Sequence, residues 1–479
     1  MTKKNIIQSL CFLLVMVLIL FLLAEVFRDK ETTLSSFYSE PKDTVEVIIL
    51  GGSHVNSAFM PSVMWSDYGI SAHDVFSWNQ PIWTSYYYFK EALRTQSPSV
   101  AVIDLFGMTY GSSLIQPSAI DDDTYKNAFT MSLSPIQYEM MVTSRFVSVQ
   151  TPPLYEYLNL VRYHYRWKQI GEESFCYNPY KQHDEFKGYG LSTVCLPAEA
   201  PGFHNATTAR EPYIYCIKYL DKIVKLAEKN DIDLVFTLTP YCFNETEREI
   251  YLWLQEYADE HDIPFLNYNG ADGERIGIDY STDLIDWGHV NYWGAEKITN
   301  DVARFLNENY QFPSRNEVKN HEQRDYDAAL FERTLTYNFS LANEDDLNAF
   351  VEKALADKNY TLYYSVCDDT VLSKDLSLLL EKSGAMCMNE PVTPTRADGT
   401  LKEYLQDDHF ITVATNGDIY VANERFVEAQ SKINILLYDN MLKKPIEYAY
   451  VEATNPQALT HREILSKELK PLVGIGYAE

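Results

Sequence analysis

Basic residues are the scarce class in this 479-residue chain: 40 Lys and Arg stand against 68 Asp and Glu, a formal charge of −28 with histidine neutral. That deficit excludes a nucleic-acid binder, because phosphate backbones are gripped by clustered Lys and Arg. Cysteine is sparse, at 7, and no C-x-x-C occurs, which argues against zinc-ribbon and thioredoxin-like chemistry. No G-K-[ST] follows a glycine turn, so a phosphate-cradling loop of that kind is disfavoured. No internal repeat is visible. Apolar material is not lacking: 46% of residues are hydrophobic and 14% aromatic, enough to rule out disorder. The length predicts two or three domains.

One long apolar run stands near the N-terminus. From Ile6 to Ala24 there is no charge, a length that lets a helix cross a bilayer. Lys3 and Lys4 precede it, and Arg28 and Lys30 behind it are offset by Glu25, Asp29 and Glu31, so loop charge gives little orientation. A cleaved signal peptide is the alternative, but the run exceeds an ordinary h-region and no small-x-small site follows. An uncleaved signal anchor is therefore expected over 1–31, with the soluble domains outside the cytoplasm of a single-pass membrane protein. Among the remaining six cysteines, the pairs Cys176–Cys195 and Cys367–Cys387 suit an oxidising compartment, and free thiols suit it equally.

Beyond a polar tether reaching about Thr44, apolar runs at 45–50, 72–76, 100–105, 234–238 and 265–268 alternate with helical spacing at 59–65, 83–93, 213–230, 245–260 and 295–309. Short, β-branched, nearly continuous runs suit buried parallel strands, and their alternation with helices predicts a doubly wound α/β sheet over 32–310. The rhythm lapses at about 107–209 into a Tyr-rich, Pro-interrupted stretch that reads as a large insertion. The polar segment QFPSRNEVKNHEQRDY has almost no apolar period and marks a linker, 311–328. A C-terminal α+β domain, 329–479, follows, with helices expected at 345–356 and 373–382, strands at 361–366, 411–415 and 433–438, and a tight hairpin at Asn416-Gly417.

Ser53 follows the first strand through Gly51-Gly52, at the carboxyl edge where open α/β sheets bind ligands. It is a candidate nucleophile; a tight turn with a Ser N-cap is the other reading of Gly-Gly-Ser. Asp286-Trp287-Gly288-His289 lies just before the last helix of the same unit. An Asp and a His three apart on a loop can orient an imidazole toward a hydroxyl, which is triad logic.

These two blocks, IILGGSHVNSAFMPS and DWGHVNYWGAEKITNDVARFL, resemble the first and last blocks of the SGNH (GDSL-type) hydrolases over about residues 44–310. The nearest likeness is the membrane-anchored bacterial branch that includes the teichoic-acid D-alanylation protein and alginate O-acetyltransferase accessory proteins. The resemblance implies an SGNH, flavodoxin-like three-layer sheet, a Ser53–His289–Asp286 triad and an acyl-serine intermediate. It further implies O-acyl transfer or ester hydrolysis on a cell-surface glycan, with a multi-pass membrane O-acyltransferase as partner. The family's block-two Gly and G-x-N-D are absent as such; SWNQP and VIDLFG stand in their places. Asn79 or Gln80 is then the oxyanion candidate, with helix capping the rival role for Asn79, and Asp104 is unassigned. A catalytically silent scaffold on the same fold, binding polysaccharide or the acyltransferase, is the alternative function.

Within the insertion, His164, Arg166, Trp167 and Tyr189 combine flat rings with donors suited to carbohydrate, a packed cap being the other reading. Parts of the C-terminal domain, LSKDLSLLLEKSG and INILLYDNMLKKPIEYAYVE, weakly resemble an interleaf-type lectin-like module. Asp407, Asp408 and His409 read better as a polar loop than as metal ligands, and neither a metal nor a cofactor is expected. The acidity lies outside the membrane, where like-signed fields slow the encounter with polyanions; this tilts the expected substrate toward a neutral or weakly charged glycan.

Overall fold

The computed structural model describes residues 3–27, 33–110, 127–147 except 129 and 133, 159–201 except 177, 179–180 and 182, 208–341 and 344–356. Further on it describes 360–366, 373–383, 386–387, 401–406, 409–414, 419–421, 424–427, 433–440, 444–451 and 459–462. The chain divides between Ala328 and Ala329 into two compact units.

The first unit opens with α1, Lys3–Phe27, whose mean hydropathy reaches 3.0 over 18 residues. At about 1.5 Å per residue its 25 residues span about 37 Å, long enough to cross a bilayer. The tether that follows is not wholly free: Leu34, Phe37 and Tyr38, around the short α2 (Ser35–Ser39), are buried in the main core.

Five parallel strands build the sheet: β1 (Val47–Gly51), β2 (Ala72–Phe76), β3 (Val100–Asp104), β4 (Asp233–Leu238) and β5 (Phe265–Asn267), in the order β2-β1-β3-β4-β5. This is the flavodoxin-like order of a doubly wound sheet. Alternate side chains face opposite ways. Ile48, Leu50, Ala101, Ile103, Phe236 and Leu238 join α5 (Ile82–Ala92), α9 (Ile214–Lys229) and α10 (Glu245–Glu260) in one core. Val47, Ile49, Val102 and Val235 therefore face the other side, where α3 (Ser53–Ala58), α4 (Pro61–Tyr68) and α12 (Tyr292–Asn309) pack together. Both faces being covered explains why the strands read as unbroken apolar runs.

The helix starts are written locally. Asn244 accepts from the Glu247 amide while the Glu247 side chain accepts from the Asn244 amide, a capping box that opens α10. Asn291 likewise accepts from the amides of Trp293 and Gly294 at the head of α12.

The linker expectation for 311–328 is corrected. Helix α13 (His321–Thr336) begins inside it, and Arg324 and Asp327 are buried in the first unit. Lys187 Nζ lies 2.9 Å from Glu40 and 2.7 Å from Asp327, Arg324 lies 3.2 Å from Glu40, and His183 lies 2.9 Å from Asp327. Buried charges persist when paired, and such long-range pairing leaves no apolar period to read.

Within the insertion the described helices are α6 (Pro135–Val147), α7 (Asn159–Tyr163) and α8 (Glu173–Cys176), with a 3₁₀ helix at His164–Gln169. Cys195, Cys216 and Cys242 are free thiols, so no Cys176–Cys195 bridge is made, and Cys367 lies outside the described residues.

The second unit is α+β. A mixed sheet runs β14-β13-β12-β6-β7, from β6 (Tyr360–Val366), β7 (Met386–Cys387), β12 (Ile433–Asp439), β13 (Lys444–Val451) and β14 (Leu459–Arg462). Leu347, Phe350 and Val351 of α14 (Leu347–Ala356) and Leu376 and Leu380 of α15 (Lys374–Ser383) share a core with Ile433, Ile435 and Leu437 of that sheet. A separate antiparallel meander runs β11-β10-β9-β8, with β8 at Leu401–Gln406 and β11 at Glu424–Val427. Its β9 (His409–Ala414) and β10 (Ile419–Val421) pair antiparallel across 415–418, so the Asn416-Gly417 turn lies outside the described residues, as do Asp407 and Asp408.

Candidate active site

The site forms where β1 ends. Gly51 closes the strand, Gly52 turns the chain, and Ser53 is the first residue of α3. A Cβ on Gly51 would sit 2.5 Å from a Val55 methyl and 2.8 Å from Asp104 Cβ, so only glycine allows this approach. From the far end of the unit, Leu284 and Val290 form an antiparallel bridge and the Ile285 amide donates to the His289 carbonyl at 2.8 Å, making a tight loop over 284–290. Asp286 Oδ1 accepts from the amides of Gly288 (2.7 Å) and His289 (2.9 Å), fixing carboxylate and imidazole in one turn.

The two ends meet. Ser53 Oγ lies 2.7 Å from His289 Nε2, and His289 Nδ1 lies 3.0 and 3.1 Å from the two oxygens of Asp286. The carboxylate fixes the tautomer: Nδ1–H donates to Asp286, leaving the Nε2 lone pair to accept the Ser53 proton. Burial works to raise the Asp286 carboxyl, but the hydrogen bonds from His289 and the Gly288 amide prevail and hold it below the ordinary range. It is therefore an anion at neutral pH, as the orienting member of such a relay must be.

The oxyanion candidates part company. The Gln80 side chain is buried, accepting from Ser77 Oγ at 2.7 Å and donating to Ser85 Oγ at 2.9 Å, so its amide braces the turn rather than reaching Ser53. Its backbone nitrogen is what comes close, 3.5 Å from where a Cβ of Gly52 would stand. Asn79 is exposed at the corner of that turn with φ +46°, a left-handed conformation that Asn tolerates. The N-cap of α5 is Pro81, which has no side-chain acceptor of its own.

Asp104 accepts from the amides of Phe106 (3.1 Å) and Thr239 (3.2 Å), tying the ends of β3 and β4. Burial pushes its carboxyl up to about 7 against those bonds.

The glycan-binding candidates are placed elsewhere. Tyr189 is buried, because Gly188 (φ +93°) bends the chain inward and the Asp74 amide bonds the Lys187 carbonyl at 2.9 Å; it offers no open ring to a sugar. His164, Arg166 and Trp167 lie in the 3₁₀ helix beside the end of α1, with Arg166 Nη1 donating to the Phe27 carbonyl at 3.4 Å.

Two groups of site residues were not anticipated. His54, next to the candidate nucleophile, is fully buried, its Nδ1 sharing a hydrogen bond with Thr239 Oγ1 at 2.9 Å. Trp78 on the turn before α5, Trp287 on the 284–290 loop and Trp293 in the first turn of α12 are exposed. A Trp between the two partners of D-x-x-H was the available signal for the second. A single His after a Ser carries none for the first.

The return arm of the insertion straps these parts together. Gly190 and Gly188 bond the backbone and side chain of Asn56 on α3, Ser192 accepts from the Tyr292 amide (2.8 Å), and Leu196 donates to Leu284 (3.1 Å).

No family model matches the chain, and no curated protein matches it. Among solved structures, a candidate acylhydrolase from Bacteroides fragilis NCTC 9343 aligns over 58% of this chain and 99% of its own, at 12% identity and TM-score 0.29. A GDSL-like lipase from Bacteroides thetaiotaomicron VPI-5482 aligns over 58% and 92%, at 12% identity and TM-score 0.26.

Proposed function

We propose that this chain is a membrane-anchored, extracytoplasmic serine enzyme that removes or transfers O-acyl groups on a cell-surface glycan. The hydrogen-bonded series Ser53–His289–Asp286 carries the reading. Ser53 Oγ attacks the acyl carbonyl as His289 Nε2 takes its proton, and Asp286 steadies the imidazolium. His289 then returns the proton to the departing alcohol oxygen, leaving acyl-Ser53. Attack on that ester by water gives an esterase; attack by a second sugar hydroxyl gives an O-acyltransferase.

The developing oxyanion needs donors. The Ser53 amide opens a helix and so has no intrahelical acceptor, and the backbone N–H of Gln80, 3.5 Å from where a Cβ of Gly52 would stand, is the second donor offered. The exposed rings of Trp78, Trp287 and Trp293 suit the flat faces of a carbohydrate acceptor.

The test is hydrolysis of a chromogenic acetyl ester by the full-length chain in detergent, with Ser53→Ala beside it. Loss of turnover, and of fluorophosphonate labelling, is expected in the variant. Equal rates in both would remove Ser53 as nucleophile and favour the silent scaffold. Adding an oligosaccharide acceptor and following its mass separates transferase from esterase.

A further inference from the structure

The side chains of α1 are still exposed at Leu22 and Leu23 and become half-buried at 24–27. That change coincides with the end of the uncharged run, where Glu25 would leave the hydrocarbon. What covers the helix there is the insertion: α7, the 3₁₀ helix and α8 all contact α1, and Phe27, Met141 and Tyr163 pack as one cluster.

The surface around this junction is unusually apolar. On α6, Tyr138, Val142 and Phe146 recur every four residues and so share one face, next to Met141, which touches the Phe27 cluster. Tyr165 and Trp167 of the 3₁₀ helix and Phe175 of α8 add further rings on the elements that contact α1. All six are exposed, Phe146 by 72% and Phe175 by 68%. A contiguous exposed apolar patch marks an interaction surface.

Its charges are also atypical of so acidic a chain. Arg145 on α6 and Arg166 and Lys168 in the 3₁₀ helix share the elements that carry these rings, with Lys168 Nζ 5.4 Å from the Trp167 ring centre. The acids on the same elements are Glu139, already paired with Lys90 at 2.5 Å, with Glu172, which is exposed, and Glu173 at the start of α8.

We propose that this patch lies on the outer leaflet of the bilayer, its Trp, Tyr and Phe rings at headgroup level and its basic side chains on lipid phosphates. Trp and Tyr collect at that depth because one end of the ring is apolar and the other wet, and Lys and Arg reach from there to the polar layer. Lipid is favoured over a protein partner by position: the patch surrounds the last turn of α1, where a bilayer surface has to be. The residues that first suggested a sugar site, Arg166 and Trp167, become membrane contacts. The proposal rests on α1 being a membrane anchor.

The test places a photo-crosslinking phenylalanine analogue at Tyr165, Trp167 or Phe175 of the full-length chain in bacterial membranes, with Leu13 in α1 and exposed Glu260 as references. Phospholipid adducts are expected at the three patch positions and at Leu13, with at least tenfold less at Glu260. Adducts at Leu13 but none at the patch would overturn the proposal while leaving the anchor intact. Adducts at neither would overturn the anchor and the proposal together. A discrete protein adduct in place of lipid at the patch would overturn it in favour of a protein partner.

Discussion

The imidazole of His54 stacks on the ring of Phe106, their centroids 3.8 Å apart and the planes 21° from parallel. It stands 5.1 Å from the imidazole of His289, so a second histidine lies beside the one that meets Ser53. They are not interchangeable. His54 is buried and bound to Thr239, and burial first, then His289, push its pKa well below the ordinary value.

His54 is therefore a neutral wall. His54→Gln should keep fluorophosphonate labelling of Ser53 while lowering stability by about 1–3 kcal/mol, through the lost stacking and a disturbed buried hydrogen bond. His289→Gln should abolish labelling with little thermal cost. Loss of labelling in both with unchanged melting would make His54 part of the proton relay.

Asp286→Asn should leave the fold intact and lower kcat by about ten-thousand-fold, since an amide stabilises the wrong imidazole tautomer. Kinetics beside a melting curve decide this. A drop of only a few-fold would mean that the Gly288 and His289 amides, not His289 Nδ1, are what Asp286 serves.

Gly51→Ala sets a methyl 2.5 Å from Val55 and 2.8 Å from Asp104, neither of them able to swing away freely. Forced overpacking costs about 1–3 kcal/mol, and it should slow Ser53 labelling because α3 must shift. Gly277→Ala meets nothing nearby but sits at φ +72°, so it should cost stability without touching labelling.

Burial raises the Glu40 carboxyl, but Arg324 and Lys187 outweigh it and take it from an ordinary 4.5 to about 2. A folded pKa below the unfolded one gives stability that is complete above about 4.5 and lost as pH falls toward 2. Lys187→Met removes one of the two cations and should move the acid-unfolding midpoint upward, seen by circular dichroism across pH 2–6, with about 3–5 kcal/mol lost at neutral pH. An unchanged midpoint would show that Arg324 alone holds Glu40.

What the sequence made legible follows physical range. The strands around Ile49, Val102 and Val235 and the pairing of Ser53 with the D-x-x-H loop rest on local pattern and chain order. Arg324, Asp327 and Lys187 escaped because a buried ion network spread over nearly three hundred positions looks, segment by segment, like solvated loop. Tyr189 misled because a tyrosine facing inward and one facing a sugar have identical neighbours in sequence; only the bend at Gly188 separates them. Gln80 misled by chemistry: its amide was a fit donor, already engaged by Ser77 and Ser85.

The docking of Leu34, Phe37 and Glu40 into the first unit fixes how far that unit can travel. Only residues 28–32 lie between the end of α1 and the described chain at Thr33, and fully stretched they reach about 20 Å. With α1 in a bilayer, that length holds Leu34 and the unit it docks into near the lipid. For the glycan substrate proposed above, that length would confine action to polymer close to the membrane.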